Sequence, residues 1–165
     1  YAILRYFNVC GASPSGKIGP ILKTDSLFKN ISTAIMKKNP VIQIYGNDYN
    51  TPDGTTVRDY IHVADLADAH CKILKKISEI NISTIVNCGY HKGTSVLEAV
   101  NEFKKQTKKK ITMLYKKRRT GDLTIVIANN KKLKKIIQWH PKFYRLSTIV
   151  KTCILWEKNY LKIKL

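Results

Sequence analysis

Short strand patterns alternating with amphipathic helical patterns along 165 residues predict an α/β fold. Three observations carry this. Apolar runs of strand length, such as Ile3 to Val9, Val41 to Tyr45 and Thr84 to Cys88, are separated by stretches with helical periodicity. Helical stretches open on residues that can cap free amides. Turn formers gather between them, at Gly11 to Gly19 and Asn47 to Gly54. No repeat and no clear linker divides the chain, and its length suffices for one sizeable core.

Taken in order, Ile3 to Val9 is an apolar strand that runs into the Gly/Ser/Pro-rich loop. Thr24 or Asp25 can start a helix reaching about Lys38, with Leu27, Ile31, Ala34 and Ile35 on one face. Val41 to Tyr45 follows as a strand. After the Asp53-Gly54 turn, Val57 to Val63 alternates, so that Arg58, Tyr60 and His62 share one face. Asp65 reads as the cap of the next helix, whose Leu66, Ala69, Ile73 and Ile77 face inward and whose Lys72, Lys75 and Lys76 face out. Thr84 to Cys88 is a strand bounded by Gly89 and Gly93. Ser95 and Glu98 form a capping box for a helix that buries Val96, Leu97, Val100 and Phe103. Ile111 to Tyr115 is a strand, Asn129 to Gln138 a helix burying Leu133, Ile136 and Ile137. Ser147 to Tyr160 is a helix with Ile149, Val150, Cys153, Ile154 and Trp156 on its apolar face.

Composition narrows the function classes. Thirty basic residues against 11 acidic ones give a net charge of +19. Such a balance can serve nucleic acid or anionic surfaces. Here only Arg5, Arg58, Arg118, Arg119 and Arg145 are arginines. The lysines are scattered over helix faces, and no nucleic-acid-binding signature accompanies them, so a solvated surface is the preferred reading. A basic nucleic-acid-binding module remains the rival from a different class. No apolar run reaches membrane-spanning length and nothing resembles a signal sequence. Cys10, Cys71, Cys88 and Cys153 lack framework spacing, and the lone Cys88-x-x-His91 pair has no second half. They read as thiols of a reducing, cytoplasmic compartment, and no metal site is expected.

Candidate chemistry concentrates between Gly46 and His70. An arginine at a strand end, Arg58, can present a planar, permanently charged fork to a phosphate. It can equally be a surface arginine paired with Asp59 or Asp65. Gly89-x-x-x-Gly93 lacks the residues of a phosphate loop and reads as a tight strand-to-helix turn. Tyr160-Leu-Lys-Ile-Lys164 has Y-x-x-x-K spacing by chance, since no strand or glycine motif precedes it. His62 and His70 read as structural histidines.

Residues Gly46 to His70, with Asp48-Tyr49, Asp53-Gly54 and Arg58-Asp-Tyr-Ile-His62, closely resemble the substrate-binding half of UDP-glucose 4-epimerases. These are NAD-dependent nucleotide-sugar enzymes of the extended short-chain dehydrogenase/reductase family. The resemblance continues in order through Arg5-Tyr-Phe-Asn-Val-Cys-Gly-Ala12, Val86-Asn-Cys-Gly89, Arg118-Arg-Thr-Gly-Asp122 and the Trp139-x-Pro141 stretch. It implies the C-terminal part of an NAD-binding Rossmann-type fold interleaved with a smaller substrate-binding α/β domain. The glycine motif and the Ser, Tyr and Lys that move protons would then lie upstream of Tyr1, and the chain would be a piece of something longer.

The resemblance also implies roles. In such enzymes NAD takes a hydride from C4 of the UDP-sugar and returns it to the opposite face. Phe7 would lie against NAD. Asn8 would bond the sugar-phosphate end, and Ser26 and Leu27 would contact the diphosphate and uridine. Gln43 and Tyr45 would border the uracil, with Tyr60 shaping the same wall. Arg58 and Arg119 would grip the diphosphate, and Asp122 would accept from the ribose hydroxyls. Ser26 stands where the family has Asn or His, and His91 where it usually has Gly. A homodimer is implied for the full-length protein. Sister nucleotide-sugar epimerases or dehydratases, or an inactive gene fragment, are the alternatives.

Overall fold

The computed structural model describes residues 1–21, 26–81 and 83–163. The chain begins with strands β1 (Ala2–Tyr6) and β2 (Asn8–Cys10), then helix α1 (Leu27–Ala34) and strand β3 (Val41–Tyr45). Strands β4 (Val57–Arg58) and β5 (Tyr60–His62) lead into helix α2 (Val63–Ile80). Next come β6 (Thr84–Cys88), β7 (Thr94–Ser95), α3 (Val96–Thr107), β8 (Thr112–Lys116) and β9 (Ile125–Val126). Helices α4 (Lys131–Ile137) and α5 (Leu146–Ile163) complete the described order. Parallel pairing joins β1 to β6, β2 to β5 and β3 to β8. Strand β4 lies between β7, antiparallel, and β9, parallel. The α/β expectation holds.

Two apolar clusters result. One gathers Phe28, Ile31 and Ile35 of the α1 region, Val100 and Phe103 of α3, and Val150 and Ile154 of α5. The other gathers Leu66, Ala69 and Ile73 of α2 with Val86, Leu133 and Trp139. Successive residues of β5 serve different clusters: Tyr60 belongs to the first and Ile61 to the second. That is the period-2 alternation of a strand caught between two cores. Tyr90 packs against both. The Ser95–Glu98 capping box forms as expected, each side chain accepting from the other's backbone amide.

Some expectations need correction. Val57 to Val63 is not one strand. At Asp59 the chain changes partners: the Asp59 amide donates to Val126 O at 3.1 Å, while Asp59 O accepts from Asn8 N at 3.0 Å. Asp65 is not the cap of α2. His62 is, its Nδ1 accepting from Ala64 N at 3.1 Å, and the helix starts earlier in consequence. The Asp65 carboxylate instead takes the Lys142 and Phe143 amides, both at 2.8 Å, and the Tyr90 hydroxyl at 2.6 Å. Helix α1 ends earlier than Lys38. Its last turn tightens through Met36 N→Thr33 O and Lys37 N→Ala34 O, and Pro40 forbids continuation. The proposed starters Thr24 and Asp25 lie outside the described residues, as does Lys164. Ile3 to Val9 is split at Phe7, whose amide still reaches Cys88 O at 3.2 Å.

Candidate functional site

The ends of β2, β3 and β4, the start of α1 and the loop after β8 enclose a cavity of about 1020 Å³. All ten residues singled out in the sequence line it: Phe7, Asn8, Ser26, Leu27, Gln43, Tyr45, Arg58, Tyr60, Arg119 and Asp122. They come from segments more than a hundred residues apart, from Phe7 to Asp122, and the parallel crossovers bring their strand ends to one side.

Each wall has a local cause. Phe7 and Asn8 sit where β1 hands over to β2. Ser26 and Leu27 stand at the N-terminus of α1, where unpaired helix amides favour an anion. On β3, Gln43 and Tyr45 point to the same side, and the Tyr45 hydroxyl donates to Gln43 Oε1 at 2.9 Å. The Tyr60 ring is buried against Phe28 at 4.7 Å between centroids, and burial holds its hydroxyl well above the ordinary tyrosine range. That hydroxyl is a neutral group at physiological pH.

Arg58 pairs with neither Asp59 nor Asp65. Its Nη2 bonds Asp122 Oδ1 and its Nη1 donates to Val57 O at 2.8 Å and Thr124 O at 3.4 Å. Asp59 is fully buried and satisfied elsewhere, by the amides of Tyr90 (2.9 Å), His91 (2.9 Å) and Ala128 (3.2 Å). Arg119 lies over the Tyr45 ring, 4.1 Å from its centroid. Lys29 also lines the cavity, but its ammonium is spent on Glu157 at 2.6 Å. With Lys37 at the wall too, cations outnumber the one lining carboxylate, Asp122. Such a basin suits an anion with an attached ring.

Asn30, Thr33, Lys37 and Thr56, to which sequence reasoning assigned no role, line the cavity as well, as does Val96, expected only to face inward from its helix. The signal for three of them was present: Ser26, Asn30, Thr33 and Lys37 recur at spacings of four, three and four, one face of a helix. The Gly89 to Gly93 turn lies apart from the cavity. A Cβ on Gly89 would meet Ala128 and Asp59, and one on Gly93 would meet Val57 and Ile127, so close internal packing requires both glycines. His91 between them holds φ 60°, a left-handed conformation that suits the glycine usual there. Among the described residues no group of three metal-ligating side chains occurs, and no helix is long and apolar enough to cross a membrane.

Fold and cavity together define an α/β protein that closes parallel strand ends around an anion-receptive basin. The chain belongs to the NAD dependent epimerase/dehydratase family, whose pattern matches residues 1–89. It is 39% identical over 158 residues to a UDP-glucose 4-epimerase of Azospirillum brasilense, covering 95% of this chain and 45% of that protein. UDP-glucose 4-epimerase 1 of Oryza sativa subsp. japonica is 44% identical over 146 residues, covering 86% of this chain and 41% of its own length. Among solved structures, the UDP-glucose-4-epimerase of Stenotrophomonas maltophila, with bound NAD and formylated UDP-arabinopyranose, superposes with a TM-score of 0.93 at 32% identity. The match covers 98% of this chain and 48% of that one. The Bifidobacterium longum enzyme, in complex with NAD+ and UDP, gives 0.86 at 32% identity, over 96% of this chain and 47% of that one. The chain thus spans about half the length of the relatives it matches.

Proposed function

We propose that this chain is the C-terminal, UDP-sugar-binding portion of a UDP-glucose 4-epimerase, which interconverts UDP-galactose and UDP-glucose with bound NAD. In this reading residues 1–165 hold the closing Rossmann elements, β1 and β6, interleaved with the substrate-binding subdomain. The observation that carries it is the convergence, on one cavity of about 1020 Å³, of the ten residues that the resemblance singles out. Arg58 and Arg119 grip the diphosphate, where charge-assisted and planar contacts give most hold. Asp122 accepts from the ribose, and Gln43 and Tyr45 border the uracil. Asn8 takes the sugar-phosphate end, Ser26 and Leu27 offer the α1 N-terminus, and Tyr60 forms the wall. An epimerase has to hold the nucleotide while its sugar turns, so strong contacts belong on the diphosphate and few on the hexose.

NAD, when bound, supplies the acceptor and donor of the hydride. Of the residues here, Phe7, which lines the cavity, fits its flank; in this reading the groups that move protons belong to a half this chain does not contain. The full-length enzyme is a homodimer in this proposal and works in the cytoplasm. The cysteines lack framework spacing and three of the four are buried, which fits a reducing compartment.

The test is conversion of UDP-galactose to UDP-glucose by the longest natural polypeptide containing this chain. Turnover that collapses on Arg119→Ala is the expected result. A different product from UDP-glucose would favour a sister epimerase or dehydratase. Absence of turnover together with absence of UDP binding would overturn the reading.

A further inference from the structure

Arg118 does not line the cavity, yet it is anchored by several contacts in the loop that carries Arg119 and Asp122. Its Nε donates to Asp48 Oδ1 at 2.8 Å and its Nη2 to Asp48 O at 2.5 Å. Its guanidinium covers the Tyr49 ring, 4.2 Å from the centroid. Gly46 makes room for this arrangement. A Cβ there would fall 2.4 Å from the Tyr49 ring and 2.9 Å from Arg118 Cγ. The Gly46 amide also donates to Lys116 O at 2.8 Å, at the point where the β3–β8 ladder ends with Tyr45 opposite Lys116.

Two consecutive arginines thus engage two aromatic rings from one strand-and-turn segment. Arg118 sits on Tyr49 outside the cavity, and Arg119 sits on Tyr45 in its wall. Arg119 pairs with no carboxylate among the described residues, so its charge is kept for something else. A single exposed ion pair would fix little. A planar fork that bonds a side chain and a carbonyl while stacking on a ring fixes orientation as well.

We infer that Arg118 is a positioning residue: by latching residues 117–122 to Asp48 and Tyr49, it holds Arg119 over the cavity mouth in place for a nucleoside diphosphate. The ligand's identity rests on the function proposed above. The latch itself rests on the geometry of Arg118, Asp48, Tyr49 and Gly46. Preorganisation of this kind lowers the ordering cost of binding without any contact from Arg118 to the ligand.

The experiment is a double-mutant cycle, with UDP titrated calorimetrically into the longest natural polypeptide containing this chain. Arg118→Ala should weaken UDP binding about three- to tenfold, the range set by immobilising one flexible side chain. The same substitution in an Arg119→Ala background should cost nothing further, because its effect passes through Arg119. A residue that served folding alone would lower affinity equally in both backgrounds. Should Arg118→Ala fail to fold, Asp48→Ala removes the carboxylate part of the anchor, leaving the Asp48 carbonyl and the Tyr49 ring in place, and should give a smaller loss of the same kind. Equal losses in both backgrounds, or no loss in either, would overturn the inference. Amide exchange of residues 117–122 is read in parallel and should accelerate in Arg118→Ala. Unchanged exchange would overturn the latch alone, whereas a wild type that binds no UDP would overturn the nucleotide reading and the ligand-holding role with it.

Discussion

Arg58 and Asp122, expected to hold different parts of one ligand, hold each other across the cavity wall. Both side chains are largely shielded, and the guanidinium is pinned further by the carbonyls of Val57 and Thr124. The pair lies where β4 runs parallel to β9 with Arg58 opposite Val126, so the ladder sets the reach of both side chains. In the ligand-free wall both Nη groups of Arg58 are thus satisfied by protein acceptors, and in the proposed function a phosphate takes the place of the Asp122 carboxylate at Nη2.

Unequal effects at the two ends of this pair follow. If Arg58 grips the diphosphate as proposed, Arg58→Ala should weaken UDP binding by about 10- to 100-fold, the equivalent of ~1.5–3 kcal/mol. Asp122→Asn loses charge at the ribose but frees Arg58 toward the phosphates, so its loss should stay within about fivefold. Calorimetric titration of UDP against both variants decides this. A larger effect from Asp122→Asn would reverse the assigned division of labour.

Asp59 is the most demanding structural residue near the site. Its carboxylate is fully buried and accepts from three backbone amides, two in the Gly89 to Gly93 turn and one at Ala128. Replacing it by Ala strands those donors, and Asp59→Ala should cost on the order of 3 kcal/mol or more. Chemical denaturation measures it. A loss below about 1 kcal/mol would mean that water or a rearranged turn satisfies the amides.

Much of this was legible in the sequence, for reasons that differ by level. Periodicity located β3, β6, α3 and α5, because both faces of those elements are set by burial. The Ser95–Glu98 box was legible because capping is local. What was not legible is non-local. Asp65 looked like a cap from its neighbours, but the amides it serves, on Lys142 and Phe143, lie far along the chain. The two-residue strands β7 and β9 carry too few residues for any period and exist only because β4 lies between them. The alternative for Arg58, an ion pair with Asp59 or Asp65, named the wrong carboxylates. Asp59 and Asp65 are near in sequence, but strand pairing makes Asp122 near in space. The ten lining residues came from motif resemblance, while Asn30, Thr33 and Lys37 required knowing which face of α1 the cavity uses.

The β1–β6 pair is covered on one face and open on the other. One side packs Ala2 and Leu4 on the α2 cluster. The other leaves large apolar groups open: Tyr1 is 75% exposed, Ile3 44% and Ile85 39%. A patch of this kind on a two-stranded edge invites self-association. Expressed as these 165 residues, the chain should self-associate and bind a hydrophobic dye, and Ile3→Lys should reduce both. Size-exclusion chromatography with dye fluorescence tests this. A monodisperse monomer without dye binding would show that these side chains fold over the edge in solution.

Acid should loosen the fold at His62 before the carboxylates titrate. The imidazole is fully enclosed, stacked on Phe143 at 4.7 Å, with Nε2 3.0 Å from Thr152 Oγ1 and Nδ1 accepting from Ala64 N. Burial lowers its pKa below the ordinary histidine value, and the nearby Asp65 only partly opposes this. Accepting at Nδ1 also requires that nitrogen to be unprotonated. The sign follows: the unfolded chain takes up a proton as pH falls below about 6.5, while the folded chain resists until its lower pKa. Stability is therefore full above about 6.5 and declines as pH drops from there toward the folded pKa. Denaturation midpoints between about pH 7.5 and 5 should fall for the wild type and vary less for His62→Gln, which keeps a hydrogen-bonding side chain and loses the titration. Parallel declines in the two proteins would assign the acid sensitivity to other groups.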